Sequence, residues 1–183
     1  MVKERFLYPC LTDERVMRQN KFAERLDLAK GLADIFELVK DAARASLKMG
    51  RAGLMLGLAD LGNHPQGFIG AFFPVGTNII VMNKIPLARI KETQPELYKP
   101  YIFHVLLHEY IHTLGYLDEA TVRQMVYEVS KELFGEEHIA TRIAHDTTPF
   151  FKNLVYPSVA WQPEEFKLEL VEGFDRGSVN YIA

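Results

Sequence analysis

Three histidines, His104, His108 and His112, stand four residues apart in FHVLLHEYIHTLGYLDEATV, residues 103–122. Glu109 directly follows the second, and Gly115, Asp118 and Glu119 follow the third. Imidazoles at i and i+4 share one face of a helix. At that separation two of them can bring a ring nitrogen each to one ion at the roughly 2.0–2.1 Å that zinc requires. A glutamate one residue after the first ligand leans beside the ion, where it can take a proton from a water attacking a carbonyl. His108, Glu109 and His112 therefore spell H-E-x-x-H, with zinc as the expected ion, the two histidines as ligands and Glu109 as the general base. With 6 histidines in 183 residues, chance supplies about 0.02 such patterns. A core helix whose histidines are merely hydrogen-bonded is the weaker reading.

The third ligand is less determined. Between residues 104 and 112 a helix rises about 12 Å, so one tetrahedral ion bracketed by His108 and His112 leaves His104 to the core or to a supporting role. Asp118 falls at the third position of H-E-x-x-H-x-x-G-x-x-H/D, and Gly115 would let the chain turn sharply enough to return it to the ion. The same aspartate could instead cap the next helix, with Leu117 and Val122 as a hydrophobic staple. Glu119 is its close substitute. Glu128, Glu132 and His138 fall one to two turns past the ion if the two helices form a tight antiparallel hairpin, at about 5.4 Å per turn. His64, in GNHPQG, reads as a loop residue.

The elements that must position these groups follow from periodicity. Residues 21–48 read as one long amphipathic helix in which Gly31 is a mild weakness. Short apolar runs between Gly, Pro and Asn predict strands near 53–58, 67–73 and 78–82, the last two a hairpin across PVGT. Thr93, Pro95 and Glu96 predict a capping box at a helix entrance, and Pro100 a break. YIFHVLLHEYIHTL predicts an apolar helix ended by Gly115, residues 119–134 a second helix ended by Gly135, and EEHIATRIAHD a shorter one. In the tail, FKLELVEGF is the strand candidate.

Length and a 48% hydrophobic composition predict one domain, 1–183, with a core at 21–146, an extension at 1–20 and a C-terminal tail at 147–183. The tail either adds an edge strand and plugs Trp161 into the core, or lies along the strand NIIVM and restrains access to it. A net charge of −3 and a pI near 6.1 argue against a broad nucleic-acid footprint. A single cysteine excludes an internal disulfide and a thiolate cage. The N-terminus has no apolar signal run, and no membrane span is visible, so a cytoplasmic chain is expected. Oligomeric state is not encoded legibly.

These residues resemble the zincin metallopeptidases, most closely over residues 78 to about 119. NIIVMN is similar to the strand that lines the substrate cleft in minimal zincins. HEYIHTLGYLD is similar to the metzincin signature with Asp118 in place of the usual histidine, although no downstream S-x-M-x-Y turn is present. The short layout also resembles the small gluzincins, whose third ligand is a glutamate on a following helix. The resemblance implies an α+β fold, a small zincin-like domain with a short, mostly antiparallel sheet packed against an active-site helix and flanking helices. It implies a zinc-dependent hydrolase acting on peptide or protein substrates. Two alternatives compete: a metal-binding regulatory or structural protein without turnover, and a metal-dependent endoribonuclease-like hydrolase. The latter family shares the His-x3-His spacing and the five residues to a third ligand, but carries glycine where this chain has Glu109.

Overall fold

The computed structural model describes residues 11–62, 69–151 and 163–176; His64 and Trp161 lie outside them. The elements run α1 (Leu11–Leu28), α2 (Leu32–Leu47), β1 (Met55–Ala59), β2 (Ala71–Phe72), β3 (Ile79–Asn83) and α3 (Lys84–Thr93). They continue with α4 (Pro95–Thr113), α5 (Glu119–Phe134), α6 (Ile139–His145), α7 (Thr148–Phe151) and β4 (Glu169–Leu170). The fold is α+β with a short mixed sheet. No described helix is long and apolar enough to cross a membrane.

The expected helix over 21–48 is two helices. The chain leaves α1 after Leu28 and re-enters helix at Leu32, where the backbone N–H of Lys30 donates to Asp34 Oδ2 at 2.8 Å. The side-chain oxygen competes with helical pairing there, and Gly31 lowers the cost of leaving the helix. The break lets α1 pack on α5, with Phe22 edge-on to Phe134 at 6.1 Å, so α1 reaches back into the segment expected to be an extension.

The sheet order is β2-β3-β1-β4. β2 and β3 form the expected antiparallel hairpin, pairing Ala71 with Met82 and Phe72 with Val81. β4 pairs antiparallel with β1 at Gly57 and Leu58, as the edge-strand reading of FKLELVEGF requires. The longest pairing, β1 with β3, is parallel. Leu56, Ile80 and Met82 face the core. On the other face the C-terminal segment crosses Gly57 so closely that any Cβ there would strike Leu168. β3 has β1 on one side and β2 on the other, and the described strand of the tail lies against β1, not against NIIVM.

α4 is the central helix, packed against α2, α3, α5 and α6. It runs through Pro100 without breaking. That proline lies near the helix start, where its missing N–H removes a single bond to residue 96. The expected capping box does not form: Thr93 ends α3, donating its hydroxyl to Arg89 O at 2.7 Å, and Gln94 occupies the N-cap without a side-chain bond. α3 itself was not predicted; it starts where Asn83 accepts from Ile85 N at 3.1 Å.

The C-terminal segment is fastened by charge. Lys40 of α2 is fully buried and pairs with Asp175 and, at 3.0 Å, with Glu37. Asp175 Oδ2 also accepts from the Leu54 backbone N–H at 2.9 Å, and Phe174 stacks on Phe36 at 3.9 Å. Removing one partner of a buried pair strands the other, whereas replacing both with apolar groups does not. Asp175→Ala is therefore expected to cost about 3–5 kcal/mol in urea unfolding. The double variant Lys40→Met, Asp175→Leu should recover most of that loss.

Candidate metal centre

Between residues 101 and 113 every side chain of α4 is buried except three: His104, His108 and His112 are only partly covered. The apolar positions are enclosed by neighbouring helices, and the open stripe has the four-residue period of one helix face. His104 and His108 line a cleft there, together with Tyr101, Val105 and Glu109 of the same helix.

At one end of the stripe the ligand atoms converge. His108 Nε2 and His112 Nε2 lie 3.1 Å apart, and the Glu119 carboxylate approaches them at 3.3 Å and 3.1 Å. His112 Nδ1 lies 2.7 Å from the Tyr116 carbonyl oxygen. A carbonyl can only accept, so that nitrogen carries the proton and Nε2 presents a lone pair inward. A neutral imidazole whose lone pair faces a carboxylate is repelled by it, and either a bound cation or a proton on the ring relieves that repulsion. Ligands around a tetrahedral zinc at about 2.05 Å stand roughly 3.3 Å from one another, which matches these separations. Two imidazoles and a carboxylate so arranged could hold a metal ion.

Glu119 reaches this point because Gly115, at φ +103°, reverses the chain after α4 and starts α5 directly above His108 and His112. Asp118, preferred from spacing as the third ligand, is turned away. It is the N-cap of α5, accepting from Thr121 N at 2.8 Å and from Thr121 Oγ1 at 2.6 Å. These bonds hold its carboxyl below the usual value. Leu117 is exposed, so the cap forms without the staple. The close substitute, Glu119, occupies the position that Asp118 was expected to fill. The five-residue spacing behind the endoribonuclease resemblance ends at the capping residue.

The remaining candidates are engaged elsewhere. Glu128 accepts from Gln124 at 2.7 Å, Glu132 holds Arg18 and Ser46, and His138 caps α6 through Ala140 N at 3.2 Å. His104 lies one turn before the trio. Burial lowers its pKa to about 4, helped by the charges of His108 and Arg123. Burial likewise lowers His108, while Glu119 opposes that shift.

Glu109 is buried, and desolvation pushes its pKa up to about 7 against the pull of His112 and of a backbone hydrogen bond from Phe73. That bond ties the carboxylate to the end of β2. Arg51 ties the end of α4 to the turn between β2 and β3, donating to Thr113 O at 2.9 Å and to Thr77 O at 2.8 Å. Beside His108, Glu109 and Glu119 opens a cleft of about 880 Å³, walled by Ile69–Ala71 on the sheet side and Ala144–Thr148 on the other. Neither wall was foreseen, nor was Arg123 at its margin. The spacing of Arg123, four residues after Glu119, was the available signal.

No protein-family model, curated protein or solved structure matches the chain. The site therefore has to be judged on its own geometry. If Glu119 is the third ligand, Glu119→Ala should lower zinc affinity at least tenfold in a competition titration. Asp118→Ala should leave that affinity within about twofold and lower only the melting temperature, by loss of the cap.

Proposed function

We propose that this chain is a zinc-dependent hydrolase of peptide bonds, of the zincin type, with His108, His112 and Glu119 as the zinc ligands and Glu109 as the general base. The observation that carries the reading is the convergence of three lone-pair donors beside a buried carboxylate at the floor of an open cleft. Three protein ligands are the number found in catalytic zinc sites; structural sites close with four. Zinc held there would acidify a water and polarise the carbonyl it attacks.

The protein's own contribution is positional. Glu109 is held away from bulk water by α4 and β2, with a carboxyl poised near neutrality. It can take the proton of the attacking water and pass it to the departing amine. The cation charge beside it would draw its pKa down and favour the ionised form needed for the first transfer. β2 is an edge strand of the sheet, and Ile69–Ala71 leading into it line the cleft. An extended peptide can pair along that edge and lie across the three ligands. β3, paired on both sides, has no edge to offer.

Two measurements test this. Purified protein should carry about one zinc per chain by elemental analysis, and a His108→Ala, His112→Ala variant should carry none. Glu109→Gln should keep its zinc and lose about 10²–10⁴-fold in cleavage of a peptide library, the contribution of a positioned base. Zinc loss in Glu109→Gln would move that residue into the ligand set. Undiminished cleavage would remove it from the reaction.

A further inference from the structure

The cleft extends beyond the metal ligands, and the groups at its far side have a chemistry of their own. Arg123 lines it, one helical turn after Glu119 on the same face of α5. Glu119 turns its carboxylate onto the two imidazoles. Among the described residues Arg123 makes no ion pair with any acid. His104 lines the same cleft, and its Nδ1 is buried without a hydrogen-bond partner. Arg123 is exposed at the cleft margin, so its guanidinium is open to an anionic group that enters the cleft.

We propose that Arg123, with His104 beside it, forms a subsite that binds a carboxylate of the substrate next to the bond positioned over His108, His112 and Glu119. The inference rests on the peptide-hydrolase reading of the cleft and adds the class of substrate. A guanidinium matches a carboxylate with two parallel hydrogen bonds, and the neutral imidazole of His104 on the wall of the same cleft adds a polar neighbour. The carboxylate can come from an acidic side chain or from a free C-terminus. Arg123 is therefore a specificity-determining residue, separate from the zinc ligands and the base.

The test is binding, which does not require turnover. Zinc-loaded Glu109→Gln protein is titrated calorimetrically with three blocked tetrapeptides: acetyl-Ala-Ala-Glu-Ala-amide, its Gln counterpart, and acetyl-tetraalanine with a free carboxylate. One of the two carboxylate peptides should bind about tenfold more tightly than the Gln peptide, and which one does so identifies the source of the carboxylate. Adding Arg123→Gln should abolish the difference, and Arg123→Lys should keep part of it, since lysine retains the charge without the fork. Zinc content and melting temperature should not change in either variant. Equal binding of all three peptides, or discrimination that survives Arg123→Gln, overturns the subsite. If zinc-loaded protein binds no peptide at all, the peptide reading fails, and titration with glutarate decides the subsite separately. Arg123-dependent glutarate binding would uphold it, and its absence would overturn it.

Discussion

The rest of the structure depends on enclosing α4. Ten apolar side chains of this helix, from Leu97 to Ile111, are buried, and they belong to several faces rather than one stripe. A helix apolar nearly all round has no solvent side and must be wrapped. α2, α3, α5 and α6 do the wrapping, and β2 completes it. The single gap in that wrapping follows the three histidines. The hydrophobic effect thus both builds the core and decides where the cleft opens, because polar rings are the groups least costly to leave uncovered.

Packing alone would not assemble the ligand trio, which also needs a reversal of direction within a few residues. Gly115 adopts a left-handed conformation that most side chains resist. The turn that follows is held by two local bonds: the Tyr116 carbonyl receives His112 Nδ1, and Asp118 caps α5. The first sets which ring nitrogen of His112 points inward. The second satisfies a backbone N–H and a hydroxyl in the first turn of α5 and so secures the start of that helix. Glu119 is exposed at the cleft, whereas Glu109 is deeply covered.

Much of this was legible in the sequence. The H-E-x-x-H spacing, the glycine stops at 115 and 135, and the apolar rhythm of residues 119–134 each rest on local rules, and the elements follow them closely. The choice between Asp118 and Glu119 was not local. Adjacent residues at a helix start point about 100° apart, so the answer turns on how α5 is rotated against α4. The break between α1 and α2 was hidden because both halves carry helical periodicity, and only the competing Asp34 bond and the packing of α1 on α5 separate them. The parallel pairing of β1 with β3 was equally hidden. Sequential proximity favours hairpins, while β1 gains a nonlocal partner on each side, one of them from the tail more than 100 residues away.

Glu109 separates the hydrolytic reading from a purely structural metal site. Its displacement from 4.5 to about 7 corresponds to about 3 kcal/mol against the charged form. The same position filled by leucine or methionine would add to the core of α4 and carry no such penalty. A metal that only braces the α4–α5 corner needs the two histidines and Glu119, none of which depends on a carboxylate at 109. The backbone hydrogen bond from Phe73 also does not offset the desolvation, since the carboxyl remains well above its ordinary value with that bond in place. A costly carboxylate beside three converging ligands and aimed into the cleft is what proton transfer demands and what bracing does not. The burial of Glu109 thus counts as strain carried by the fold for the sake of the site, and it falls on the one helix whose stability the rest of the molecule is built to secure.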